Sequence, residues 1–142
     1  SSSQQLTQPR RIHKTKGDGN CFFRAISFIL TGVETYHLAV RDKVVRHMDS
    51  AAVGSKLQDY LNQNVTDYLH SSRMNRNGVW ATDAEIISTA NLGCDINVYC
   101  KVAEKLDWQR FPAQYTLSQS SDACLYLDNG SGDHYDVVLS VE

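Results

Sequence analysis

From Cys21 to Leu30 apolar side chains stand at nearly every position: Phe22, Phe23, Ala25, Ile26, Phe28, Ile29 and Leu30. A stretch apolar all round predicts a buried helix, and Gly32 supplies a C-terminal stop. A second helix is predicted from Tyr36 to about Val53, with Thr35 as candidate N-cap. Its apolar stripe, at a spacing of four, is Tyr36, Val40, Val44 and Met48. Gly54 reads as a break, after which Ser55 and Gln58 make a capping-box signal. Leu57, Tyr60, Leu61, Val65, Tyr68 and Leu69 then follow with helical period, up to a loop at "SSRMNRNG". Thr82 with Glu85 is a second capping box, and Ile86, Ile87, Ala90 and Leu92 carry that helix to Gly93.

The second half changes period. "DINVYC" (Asp95–Cys100) alternates and is rich in β-formers, so it reads as a strand. "QYTLSQ" is a further candidate. "ACLYL" and "HYDVVLSV" flank the turn-rich "DNGSGD", which predicts a hairpin. Near the N-terminus Ile12 marks a candidate edge strand. Helices first and strands later argue for an α+β fold, with helices packed on a small mixed or antiparallel sheet. The 142 residues suit one domain spanning 10–142, behind a Ser/Gln-rich tail at 1–9 that is expected to fray.

Composition narrows the function classes. A net charge of −2 gives no global pull toward nucleic acid, and the basic stretch Arg10, Arg11, Lys14, Lys16 reads as a solvated arm. No apolar run reaches the length of a membrane span, and the N-terminus has no signal-peptide core, so neither membrane nor secretion is expected. Cys21, Cys94, Cys100 and Cys124 form no CxxC pair and lack a partner His at zinc-finger spacing. Reduced thiols in an intracellular, cytoplasmic or nuclear protein are the expectation.

Candidate chemistry gathers at "KGDGNCFFRAIS" (Lys16–Ser27). Cys21 stands where a glycine turn hands over to a helix, and the unpaired N–H groups of a first helical turn favour a thiolate. Gly19 allows the backbone to bend so that amides of the Asp18–Cys21 turn could face a developing oxyanion. On its own the stretch favours a structural cysteine in a turn. Among the histidines, His13 lies in the basic arm, and His37, His47 and His70 lie on helices among polar neighbours and read as exposed. His134 opens a strand. Strand alternation sends His134 and Asp136 to one face and Tyr135 to the other, so a carboxylate could fix the imidazole tautomer. Alone, this too could be a polar strand end. A cysteine at a helix start with a distant His-x-Asp is the set a thiol hydrolase needs.

Taken together, these residues resemble a known family. "GDGNCFFRAIS" is similar to the nucleophile motif of the ovarian tumour (OTU) cysteine proteases, and "GDHYDVVL" to their C-terminal His-aromatic-Asp/Asn strand. "GVWATDAEIISTANLGCDINVY" resembles the block between the two, and the three together cover the chain from about Lys16 to Ser140. One departure is that Trp80 is followed by Ala81, where members often have Gly; this bears on the local turn shape.

The resemblance implies a papain-like OTU fold and deubiquitinase activity on isopeptide bonds at the C-terminal glycine of ubiquitin. It gives Cys21 the nucleophile role, His134 the general base and Asp136 the orienting acid. Asp18 matches the motif aspartate and is expected to support the site. Asn20 and Gly19 are candidate oxyanion-loop residues, Trp80 a candidate packing or substrate-wall residue and Glu85 a helix cap. No metal or organic cofactor is called for. The expected partner is ubiquitin or polyubiquitin, with the chain as a monomer and without nucleic acid or membrane. The alternatives are action on a ubiquitin-like modifier or a viral or transposon-type polyprotein, and a non-catalytic ubiquitin-binding module.

Overall fold

The computed structural model describes residues 7–113 and 124–142. Along the chain run β1 (Pro9–His13), α1 (Cys21–Thr31), α2 (His37–Met48), α3 (Ala51–Leu61), α4 (Val65–Ser72) and α5 (Asp83–Leu92). Four more strands follow: β2 (Asp95–Val102), β3 (Lys105–Phe111), β4 (Cys124–Asp128) and β5 (Asp136–Val141). The strands make one sheet in the order β1-β5-β4-β2-β3. β2 and β4 are parallel and the other pairs antiparallel, so the sheet is mixed, as the α+β reading allowed.

α1, α5 and the sheet share one core. Phe22, Phe23 and Ile26 of α1 meet Val44 and Met48 of α2, Ile86 of α5, and Ile96, Val98, Leu127 and Val137 of the central strands. The sheet's other face carries Tyr99, Trp108 and Tyr126, with Trp108 tilted against Tyr99 and edge-on to Tyr126 at centroid distances of 5.3 and 5.8 Å. α1 ends as predicted, at Gly32 with φ 84° and its N–H bonded to the Phe28 carbonyl. The exception to its burial is the last turn, where Leu30 is exposed.

Four predicted boundaries move. The helix expected from Tyr36 to about Val53 is two helices, broken at Asp49–Ser50. The Ser50 N–H and hydroxyl both bond the His47 carbonyl, closing α2 and letting Met48 and Val53 both reach the core. Gly54 is no break; it lies inside α3. The next predicted helix also divides, because Asn62 takes a left-handed φ of 56° and the Asn64 side chain caps α4, accepting from Thr66 and Asp67 N–H. Ser71 and Ser72, read as loop, finish α4.

β3 carries no signal of the usual kind. Its hairpin with β2 turns at Ala103–Glu104, both in the left-handed region at φ 50° and 69°. Such two-residue turns normally use Asn or Gly, because a side chain there costs about 1–2 kcal/mol per residue. Seven paired positions and the Trp108 ring packing hold the turn in place. "QYTLSQ" lies outside the described residues. The β4–β5 hairpin forms as predicted, but β5 begins at Asp136, leaving His134 and Tyr135 in the lead-in. At the N-terminus, Thr7 and Gln8, within the stretch expected to fray, bond to Glu142.

The Thr82–Glu85 capping box forms, with the Glu85 end buried at 0% exposure. Its carboxylate accepts from Thr82 N–H at 2.6 Å, the Thr82 hydroxyl at 2.8 Å and the Tyr68 hydroxyl at 2.8 Å. Glu85→Ala therefore removes a cap and takes the acceptor from three donors, the buried Tyr68 hydroxyl among them, an expected loss of about 2–4 kcal/mol in chemical denaturation. Glu85→Gln keeps the box and should cost clearly less.

Candidate active site

Cys21 is the first residue of α1 and is 7% exposed. Burial is the largest influence on its thiol and pushes it above the ordinary value. Backbone N–H groups of Tyr135, Phe22 and Cys21 itself pull the other way, and the Asp18 charge adds to the rise. The helix start thus favours the thiolate as expected, but burial decides the net direction. The contact from Tyr135 also shows that the lead-in to β5 lies against Cys21. Tyr135 is anchored there by its ring, which packs edge-on to Phe22 at 5.5 Å.

His134 and Asp136 are brought together. His134 Nε2 lies 2.8 Å from Asp136 Oδ1 and 3.0 Å from Thr15 Oγ1. The Thr15 hydroxyl donates to the Tyr135 carbonyl at 2.7 Å, so it meets the imidazole as an acceptor. Two acceptors at Nε2 assign the proton to that nitrogen and leave the Nδ1 lone pair free of it. Thr15 N–H also donates to Asp136 Oδ1 at 2.9 Å, which fixes the carboxylate. Asn129 Oδ1 accepts from His134 N–H at 3.3 Å and steadies the loop. Thr15 is a residue the sequence reading missed, because a threonine after a short strand carries no signal of its own.

Asp18 is bonded to other partners than the imidazole. It grips Arg24 through contacts of 2.8 to 3.2 Å and accepts Asn20 N–H at 3.0 Å. The Arg24 guanidinium holds the Asp18 carboxyl well below the usual carboxylate range. This ties the turn to the helix it precedes. It also uses up one amide: Asp18 and Asn20 N–H are both bonded, to Lys16 O and Asp18 Oδ1, leaving Gly19 and Cys21 as the turn's remaining donors.

Asn20 is buried, and its side-chain oxygen accepts from Arg41 Nη2 at 2.9 Å and Gly78 N–H at 2.8 Å. Its carbonyl group is thus committed to holding the turn against the 73–79 loop. Gly19 serves the same junction. A Cβ there would come within 1.7 Å of the Gly78 carbonyl oxygen, so its need for glycine is close approach rather than the bending expected. Trp80 follows this loop and is 58% exposed rather than packed in the core.

Two of the histidines set aside as exposed or mobile are built into the fold. His13 stacks on Phe28 at 3.7 Å and pairs with Glu34 at 2.6 Å. His47 bonds Asn91, joining α2 to α5.

The OTU-like cysteine protease family model matches residues 16–135, and the chain belongs to that family. No curated protein sequence matches the chain. Among solved structures it is similar to the OTU domain of OTUD1, with 20% identity, 93% of this chain and 85% of that one covered, and a TM-score of 0.69. It is likewise similar to the viral OTU domain protease of Dera Ghazi Khan virus, with 24% identity, 99% and 88% covered, and a TM-score of 0.70. The Hazara virus OTU bound to ubiquitin shares 13% identity over 100% and 94%, with a TM-score of 0.67. These likenesses show the fold.

Two outcomes test the geometry of the turn. Gly19→Ala should lower both stability and activity, whereas Gly17→Ala, whose Cβ meets nothing within 4 Å, should change neither; melting and turnover measured in parallel check this. Asp18→Asn should destabilise at neutral pH. The folded carboxyl titrates below its unfolded value, so its contribution is present above about pH 4 and fades as pH falls further. Denaturation midpoints of wild type and variant should therefore converge in acid.

Proposed function

We propose that the protein is a deubiquitinase that hydrolyses isopeptide bonds at the C-terminal glycine of ubiquitin through Cys21, His134 and Asp136. The observation that carries this reading is the imidazole of His134, bound at Nε2 by Asp136 and Thr15, on a loop whose next residue, Tyr135, packs its ring on Phe22 beside Cys21. Family membership supports the thiol chemistry, and the ubiquitin bound to the Hazara virus relative supports the substrate.

In this mechanism Nδ1 of His134 takes the Cys21 proton, which offsets the burial that otherwise keeps the thiol neutral. The thiolate attacks the glycine carbonyl. Negative charge collects on that oxygen, and the N–H groups of Gly19 and Cys21 are the turn's donors that would receive it, each worth about 3–4 kcal/mol. The imidazolium then protonates the departing lysine amine and a thioester remains. Water, deprotonated by His134, attacks the thioester; the glycine carboxylate leaves and the thiol regains its proton. Asp136 keeps the imidazole oriented and stabilises its charged form. Trp80 forms one wall for the substrate's C-terminal tail.

Cys21→Ala should abolish di-ubiquitin cleavage and His134→Ala nearly so. Asp136→Ala should cost less, because Thr15 still holds Nε2. Full activity in Cys21→Ala would sink the mechanism. Thiol-reactive probes built on ubiquitin and on ubiquitin-like modifiers test the substrate: labelling by a modifier probe alone would replace ubiquitin in this reading. A panel of di-ubiquitin linkages then gives the preference.

A further inference from the structure

We propose that Arg41 is a positioning residue for the reaction: its buried guanidinium locks the turn carrying Cys21 to the loop leading to Trp80, so that nucleophile and substrate wall are set as one unit. This rests on the reading of Cys21 as nucleophile.

Arg41 lies on α2, a helix that contributes nothing else to the site, and is 1% exposed. Nη2 donates to Asn20 Oδ1 at 2.9 Å, Val79 O at 2.8 Å and Gly19 O at 3.3 Å, and Nη1 to Met74 O at 2.9 Å. All four acceptors belong to the two loops; none belongs to α2 or the sheet. The guanidinium carbon also sits 4.3 Å over the ring of Phe23, two residues beyond Cys21.

A buried charge is an expensive way to gain stability, and an apolar side chain of similar volume usually serves a core as well. A planar fork of five donors differs in being able to span several oxygens in fixed directions. What Arg41 specifies is therefore the relative placement of two loops. Between them, the Gly19 backbone already sits too close to Gly78 for any side chain, so small slippage has no slack to absorb it.

The test uses Arg41→Lys, which keeps charge but loses the fork, and Arg41→Met, which leaves no buried charge to compensate. In folded variants kcat for di-ubiquitin cleavage should fall about 100-fold, the scale of a 1 Å misplacement, with KM little changed. The pH midpoint for alkylation of Cys21 by iodoacetamide, measured without substrate, should move away from that of the wild type. A folded variant with wild-type kcat and an unmoved midpoint overturns the proposal, whatever its melting temperature. If the wild type does not cleave ubiquitin, the substrate reading fails while the alkylation midpoint still tests Arg41. If neither variant folds, native-state hydrogen exchange on the wild type decides: the amides of Asn20 and Gly78 should open as one unit, and independent opening overturns the proposal.

Discussion

A guanidinium withdrawn from water must find oxygens, and Arg41 finds all of its own in two loops that are far apart in sequence. The turn at Gly19–Asn20 and the loop at Met74–Val79 are joined through polar groups, although Met74 also reaches the core. The arginine supplies that link, and Asn20 completes it by accepting from both Arg41 and the Gly78 amide. The start of α1, and with it Cys21, is positioned from this junction.

The imidazole side is built on a different plan. Its geometry comes from the edge of the sheet, where β1 pairs with β5 and delivers Thr15 to Asp136 and His134. Thr15 bonds three neighbours at once and fixes carboxylate, backbone and imidazole together. The two halves meet where Tyr135 packs on Phe22 and its backbone reaches Cys21. Cys21 and Asp136 thus stand on the first residues of a helix and a strand, while His134 sits in the lead-in to β5 and is held there by hydrogen bonds.

Local signals were legible where one residue type does one local job. The Thr82–Glu85 box and the Gly32 stop each depend on neighbours within a few residues, and each formed; His134 and Asp136 also meet, though His134 precedes β5 instead of opening it. Signals failed where a distant contact overruled the local preference. Gly54 was tolerated inside α3 because the turn at Asp49–Ser50 already let Met48 and Val53 into the core. Ala103 and Glu104 accept left-handed angles because strand pairing and the Trp108 cluster outweigh the local cost.

The amino-acid sequence by itself determined the family, the α+β class and the candidate nucleophile, base and acid, because those rest on residue identity and short-range spacing. Only the tertiary structure decided what Gly19, Asn20 and Asp18 do. Gly19 is demanded by a carbonyl 59 positions away, Asn20 serves as a cross-link, and Asp18 is spent on Arg24. It also revealed Thr15 and Arg41, whose roles exist only through partners that folding brings near. A side chain's chemistry is written in its identity, but its partner is set by the path of the whole chain.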